Sequence, residues 1–309
     1  MQDPTTLYRL QPAAAAATSP GGVLLVALGG FVDAGSVQHV LSTHLLATST
    51  SELVATFDVD QLLDLRARRP IMVFETNRWE SYDAPKIELL RLQDRDGTPY
   101  YMLRGPEPDY QWERMVAAVR QVADHLGISL VVSVHGIPMA VPHTRPVSYT
   151  AHATRSDLIG ERVSPFGRVA VPASFSALLE LRLGEAGEDA LGFAVHVPHY
   201  LTQTEWAEGA LAALNAVVDV TGLNLPNDDL VAKAQVGQLE IAAEIAKNTE
   251  ASAMVTGLEE QYDAYLEGTE RPSLLANEPT PLPTADELAS DVEDFLRSVE
   301  GHNGSSGQS

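Results

Sequence analysis

Six consecutive apolar residues, Val23 to Leu28, run straight into Gly29-Gly30-Phe31-Val32-Asp33-Ala34-Gly35. A run this short, unbroken by polar residues and bounded by glycines, describes a strand buried on both faces, as at the centre of a parallel sheet. Parallel neighbours need right-handed crossovers, usually helical, so this one feature commits the chain to an α/β fold.

The rest of the sequence follows the same alternation. Short apolar runs at Leu53 to Phe57, Ile71 to Phe74, Leu130 to Val134, Val169 to Val171 and Leu191 to Val195 predict further strands. Helical periodicity lies between many of them, at Ser36 to Leu46, Gln111 to Leu126, Ser174 to Leu183 and Gln203 to Val220. Ile87 to Leu92 and Tyr100 to Leu103 flank Asp94-Arg95-Asp96-Gly97, which predicts a β-hairpin and hence a mixed sheet. The expected architecture is an α/β/α sandwich around a mostly parallel mixed sheet, occupying residues 1–226. A helical extension over 227–270 follows, with Asp228 to about Leu266 broken near Asn248 to Ser252. Residues 271–300 read as a proline-rich linker and a last amphipathic helix opened by Thr-Ala-Asp-Glu at Thr284, and 301–309 as a disordered tail.

Composition narrows the chemistry. The chain has no cysteine, which excludes disulfides, thiolate metal sites and a cysteine nucleophile, and fits a reducing cytoplasm. Its start lacks a basic and apolar leader, the alanines at 13–17 are too few for one, and no run of about 18 apolar residues suggests a membrane span. The formal net charge is −22, with 20 acidic and 4 basic residues between Glu205 and Glu300. Such a charge repels phosphate backbones and anionic lipid, so neither nucleic acid nor membrane is an expected partner. The lone basic cluster, Arg66 to Arg69, reads as pairing with acidic neighbours ahead of a buried strand.

In an open parallel sheet, ligands bind beyond the carboxyl ends of the strands. Residues expected there are Gly29, Gly30 and Asp33 after the first strand, Glu75 after the third, His135 after Val134, and His196 after Val195. Gly29 and Gly30 suit either an anion cradle or a tight turn into a helix capped by Asp33. Residues 136–159 read as a long loop in which His143 and His152 suit proton transfer and Arg145 suits an anion clamp, or in which all three line a subunit interface. No Gly-x-Gly-x-x-Gly, Gly-Lys-Ser/Thr, Gly-x-Ser-x-Gly or His-Glu-x-x-His pattern occurs, so no metal or cofactor is expected.

Six motifs stand in order along the chain: Gly30 to Gly35, Arg66 to Pro70, Glu107-Pro108-Asp109, Gly136 to Met139, Pro142 to Pro146 and His196 to Leu201. Together, over roughly Val23 to Leu266, they resemble the proteasome assembly chaperone 2 family in its bacterial branch. The resemblance implies a core like the nucleoside phosphorylase and peptidyl-tRNA hydrolase fold, self-association (a trimer is the working guess) and a role in protein assembly. Two alternatives stay open. One is a small-molecule enzyme or sensor binding phosphate, nucleoside or carboxylate. The other is an ATP-dependent ligase, disfavoured because Lys86, Lys233 and Lys247 are the only lysines and none follows a glycine-rich loop.

Overall fold

The computed structural model describes residues 2–12, 21–30, 32–160, 162, 164 and 166–267. The expected linker, terminal helix and tail, and the alanine run at 13–17, lie outside the described residues.

Eight strands form one mixed sheet in the order β1-β3-β6-β7-β2-β8-β10-β9. They are β1 (Tyr8–Leu10), β2 (Gly22–Gly29), β3 (Ser51–Phe57), β6 (Ile87–Gln93), β7 (Pro99–Pro106), β8 (Ile128–Met139), β9 (Tyr149–Ala153) and β10 (Asp189–Pro198). The four central strands, β7, β2, β8 and β10, run parallel, and antiparallel pairings complete both edges. β2 sits in the middle of this set, which is why its sequence is apolar without alternation.

Helices cover both faces. On one, α1 (Val37–Thr48) and α5 (Ala207–Thr221) pack Leu41, Leu45, Leu214 and Val217 against Val132, Val134 and Phe193 of the sheet. On the other, α3 (Trp112–Leu126) and α4 (Phe175–Glu185) pack Met115, Val119 and Leu179 against Leu24, Val26 and Val131. Ser174 caps α4 by accepting a hydrogen bond from the Ala177 amide at 3.2 Å. The expected extension is two helices, α6 (Asp228–Ala246) and α7 (Thr249–Glu267). α6 lies against α5, whereas α7 reaches the far end of β8, where Tyr262 packs on Met139 and Val141.

Three sequence expectations are corrected. Residues 136–159 are not one long loop, because β8 continues to Met139 and β9 occupies Tyr149–Ala153. β8 pairs with β2 only as far as Ser133 but with β10 as far as Met139. Pro138 therefore sits where one side of the strand has no neighbour and its missing N–H disrupts nothing. Residues 169–171 form no strand and are exposed. Finally, Ile71 to Phe74 is not a buried strand. β4 (Met72–Glu75) pairs only with β5 (Arg78–Tyr82) in a separate two-stranded ribbon whose residues are all exposed. A short apolar run looks the same in sequence whether a core or only water lies against it. A four-residue helix, α2 (Val59–Leu62), precedes this ribbon.

Candidate functional site

β2 leaves the sheet through α1 on one face, toward β3; its parallel neighbour β7 leaves through α3 on the other, toward β8. Connections that diverge from adjacent strand ends open a crevice at the carboxyl edge. A cleft of about 470 Å³ lies there, lined by Gly29, Asp33, His39, Lys86, Arg104 and Gly105. Asp33 is committed to the backbone. Its Oδ1 accepts from the amides of Gln38 at 2.9 Å and Gly136 at 3.1 Å, and its Oδ2 from His39 at 3.1 Å. The carboxylate thus caps α1 and ties it to β8, while burial pushes its pKa up against the opposing effect of these bonds. Arg104 bonds Glu88 on β6 through Nε at 3.2 Å and Nη2 at 2.9 Å.

Beside the cleft, segments distant in the chain are tied together. A Cβ at Gly30 would stand 2.3 Å from Oε2 and 2.7 Å from Cβ of Glu107, so only glycine lets this carboxylate through. Glu107 Oε1 then accepts from the buried Phe175 amide at 2.5 Å, at the start of α4, and the Glu107 amide donates to Gly29 at 2.7 Å. Arg68 donates to the Glu107 carbonyl at 3.0 Å and to Asp109 Oδ1 at 2.8 Å. Asp109 Oδ2 accepts from the Asp64 amide at 2.7 Å. Glu107 and Asp109 were legible only as parts of a family motif; their partners are distant in sequence and gave no local signal.

His143 and Arg145 lie elsewhere, at the seat of α7. Arg145 engages Asp263 in a paired fork, Nε to Oδ1 at 2.8 Å and Nη2 to Oδ2 at 2.7 Å, with Glu259 at 3.3 Å from Nη1. The hydrogen bond to Asp263 holds the guanidinium protonated even more firmly than usual. Its fork is thus occupied by the chain's own helix. The Tyr200 hydroxyl accepts from the His143 amide at 2.9 Å and lies 2.8 Å from Nδ1, and burial pushes the His143 pKa down.

His135 and His196 lie within strands rather than after them. Val132, Val134, Val195 and Val197 point toward the α1–α5 core, so by alternation these histidines point to the opposite face, where α4 packs. His196 is held between the hydroxyls of Ser148, 3.0 Å from Nδ1, and Thr150, 2.8 Å from Nε2. Burial lowers its pKa to about 4. Burial, reinforced by the nearby His152, lowers His135 to about 4 as well, with the two rings 6.4 Å apart. His152 Nδ1 lies 2.9 Å from both oxygens of Glu180 on α4. Among the described residues no group of three or more histidines and carboxylates is disposed to hold a metal.

Glu75 lies on the exposed ribbon and does not line the cleft. The strand-end residues therefore divide among four places: Gly29 and Asp33 at the cleft with Gly30 in the adjoining contacts, His143 and Arg145 under α7, His135 and His196 on the sheet face opposite α1 and α5, and Glu75 on the ribbon. Sequence reasoning missed what the ribbon exposes. Ile71 is 72% exposed, Phe74 55% and Trp79 64%, with Met72 and Tyr82 near half. Phe74 pairs edge-to-face with Trp79 at 5.1 Å and Met72 pairs with Tyr82, which makes an apolar strip outside the core.

Comparison with known proteins gives a consistent picture. The model of the PAC2 family matches residues 27–245. A Mycobacterium tuberculosis protein of unknown function superposes with a TM-score of 0.80 at 41% identity, covering 84% of this chain and 92% of that one. A Corynebacterium glutamicum protein of unknown function gives 0.80 at 35% identity, covering 85% and 99%. A Mycobacterium tuberculosis proteasome-assembly chaperone homologue shares the fold, with a TM-score of 0.68 at 24% identity over 75% and 99% of the two chains. No curated protein matches. No helix among the described residues is long and apolar enough to cross a membrane.

Proposed function

The chain belongs to the PAC2 family, and from that membership we propose that it is a self-associating assembly factor that binds protein subunits, in the manner of a proteasome assembly chaperone. The observation that carries this reading is the ribbon at 71–82. An isolated two-stranded hairpin is marginal in water, and a strip bearing Met72, Phe74, Trp79 and Tyr82 gains its stability from whatever covers it. Aromatic residues at the centre of an exposed patch, with charged ones around them, are the composition of a protein interface rather than of a catalytic cleft. The fold shared with the mycobacterial chaperone homologue supports the same reading. Proteasome subunits co-expressed with the chain are expected to co-purify with it. Phe74→Ser/Trp79→Ser is expected to lose that association while keeping its melting temperature, because neither side chain supports the core. Equal association by the variant would contradict the proposal.

A second reading has its own observation, the cleft at the end of β2 and β7. Lys86 beside Ser42 and Thr43 suits a small polar ligand carrying a phosphate or carboxylate, in a lining that also holds Asp33 and Asp83. A thermal-shift series with phosphate, nucleosides and carboxylates tests it. Ligand at about 100 times its dissociation constant adds about 2.7 kcal/mol of stability, and a flat series to that level removes this reading.

A further inference from the structure

The sheet face opposite α1 and α5 carries a polar row that neither the cleft nor the ribbon uses. β10 pairs Gly192 with Ser133 of β8 on one side and with His152 of β9 on the other. By alternation these three residues share the face of Val131 and Ala190, on which α4 packs. Gly192 has no side chain, so the His152 ring lies across it toward Ser133. A Cβ at Gly192 would fall on His152 Cε1, and would stand 2.6 Å from Ser133 Oγ and 2.7 Å from His152 Nε2. The hydroxyl and the ring nitrogen thus meet over one point of the backbone, and only glycine leaves that point open.

The other side of the ring is held. His152 Nδ1 lies 2.9 Å from both oxygens of Glu180 on α4. A carboxylate at Nδ1 takes the proton there and leaves Nε2 an acceptor on the Ser133 side. Among the described residues no hydrogen bond engages Nε2 or the Ser133 hydroxyl, and contacts of this kind are commonly loose before a substrate arrives. An ion pair that merely tied α4 to the edge strand would need Glu180 and His152, but neither the bare backbone at Gly192 nor a hydroxyl beyond it.

Carboxylate, imidazole and hydroxyl in this order are the parts that activate a serine, recognised by geometry and role rather than by a sequence pattern. We propose that Ser133, His152 and Glu180 form a site for acyl transfer from small esters. Ser133 Oγ attacks the ester carbonyl carbon, its proton passes to His152 Nε2, and the carbonyl electron pair moves onto oxygen. When that pair returns, the alkoxide leaves with the proton from Nε2, and an acyl-serine remains. Water then attacks the acyl carbon while giving a proton to Nε2, which returns it to Ser133 Oγ as the carboxylic acid departs. Glu180 positions the ring. Ser133 is 8% exposed and the His152 side chain 39%, so the site admits a narrow acyl end such as acetyl while the ring faces solvent. The inference is independent of the assembly reading, since it uses no residue of the ribbon.

A fluorophosphonate probe and p-nitrophenyl acetate test it on the full chain. The probe is expected to phosphonylate Ser133 with loss of fluoride, read by mass on the peptide that carries this residue. Ser133→Ala should abolish that adduct, and Ser133→Ala and His152→Gln should each slow ester hydrolysis about 100-fold or more. Glu180→Gln should lower kcat and leave KM unchanged. Melting curves confirm that each variant is folded. Folded wild-type protein that carries no adduct at Ser133, or hydrolysis that persists undiminished in Ser133→Ala or His152→Gln, would overturn the proposal.

Discussion

At the scale of single residues, the side chains that mark the family act on the backbone. Glu107 is the clearest, since its carboxylate passes Gly30 to reach the buried Phe175 amide. Glu107→Ala leaves that donor unpaired and is expected to cost about 1–3 kcal/mol, whereas Glu107→Gln keeps an acceptor and costs less. Urea denaturation of the two variants checks the order. The two strand histidines make a second residue-scale prediction. His135 and His196 have folded pKa values of about 4 against an ordinary value of 6.5, so the unfolded chain binds more protons between these limits. Stability is therefore fully present above about pH 6.5 and is lost as pH falls, at up to about 1.4 kcal/mol per pH unit for each histidine. Asp33, whose folded pKa is raised, works in the opposite sense and offsets part of the loss toward the acid end. Denaturation midpoints at pH 7.5 and pH 5 should differ accordingly, and His196→Asn should flatten the difference. A midpoint insensitive to pH would contradict the assigned burial.

At the scale of elements, α7 is held by apolar and polar contacts together. It buries Val255, Leu258 and Tyr262, the last against Met139 and Val141, and the Arg145 fork with Asp263 and Glu259 adds polar contacts. These side chains are partly exposed, at 30% for Arg145 and 48% for Asp263, so Arg145→Ala is expected to loosen the helix only slightly. Hydrogen exchange should accelerate over 249–267 and leave β2 and β8 unchanged; unaltered protection of α7 would show that the apolar anchor suffices. Sequence alone foretold α6 and α7 and the break between them, because apolar spacing and the polar stretch at Asn248 to Ser252 are local signals. It could not foretell that Arg145 meets Asp263, 118 residues away. Nor could it follow β8 beyond Val134, because Gly136 and Pro138 read as breakers until the one-sided pairing of that strand is known.

At the scale of the whole molecule, the order of strands and helices was legible because buried strands and amphipathic helices write different periods into the sequence. What the molecule presents to others was not. The run from Ile71 to Phe74 read as core and is surface, and the strand-end residues, whose convergence the sequence left open, lie in different places. Both outcomes have one physical cause: apolar and polar character records how each element packs locally, while convergence depends on contacts between segments distant in the chain.

The central claim is that the ribbon is an interface, and sedimentation velocity tests it most directly. The wild-type chain at micromolar concentration is expected to sediment as a multiple of 33.2 kDa, and Phe74→Ser/Trp79→Ser as a folded monomer. A wild-type protein sedimenting at 33.2 kDa, or a variant assembling as the wild type does, would contradict the account.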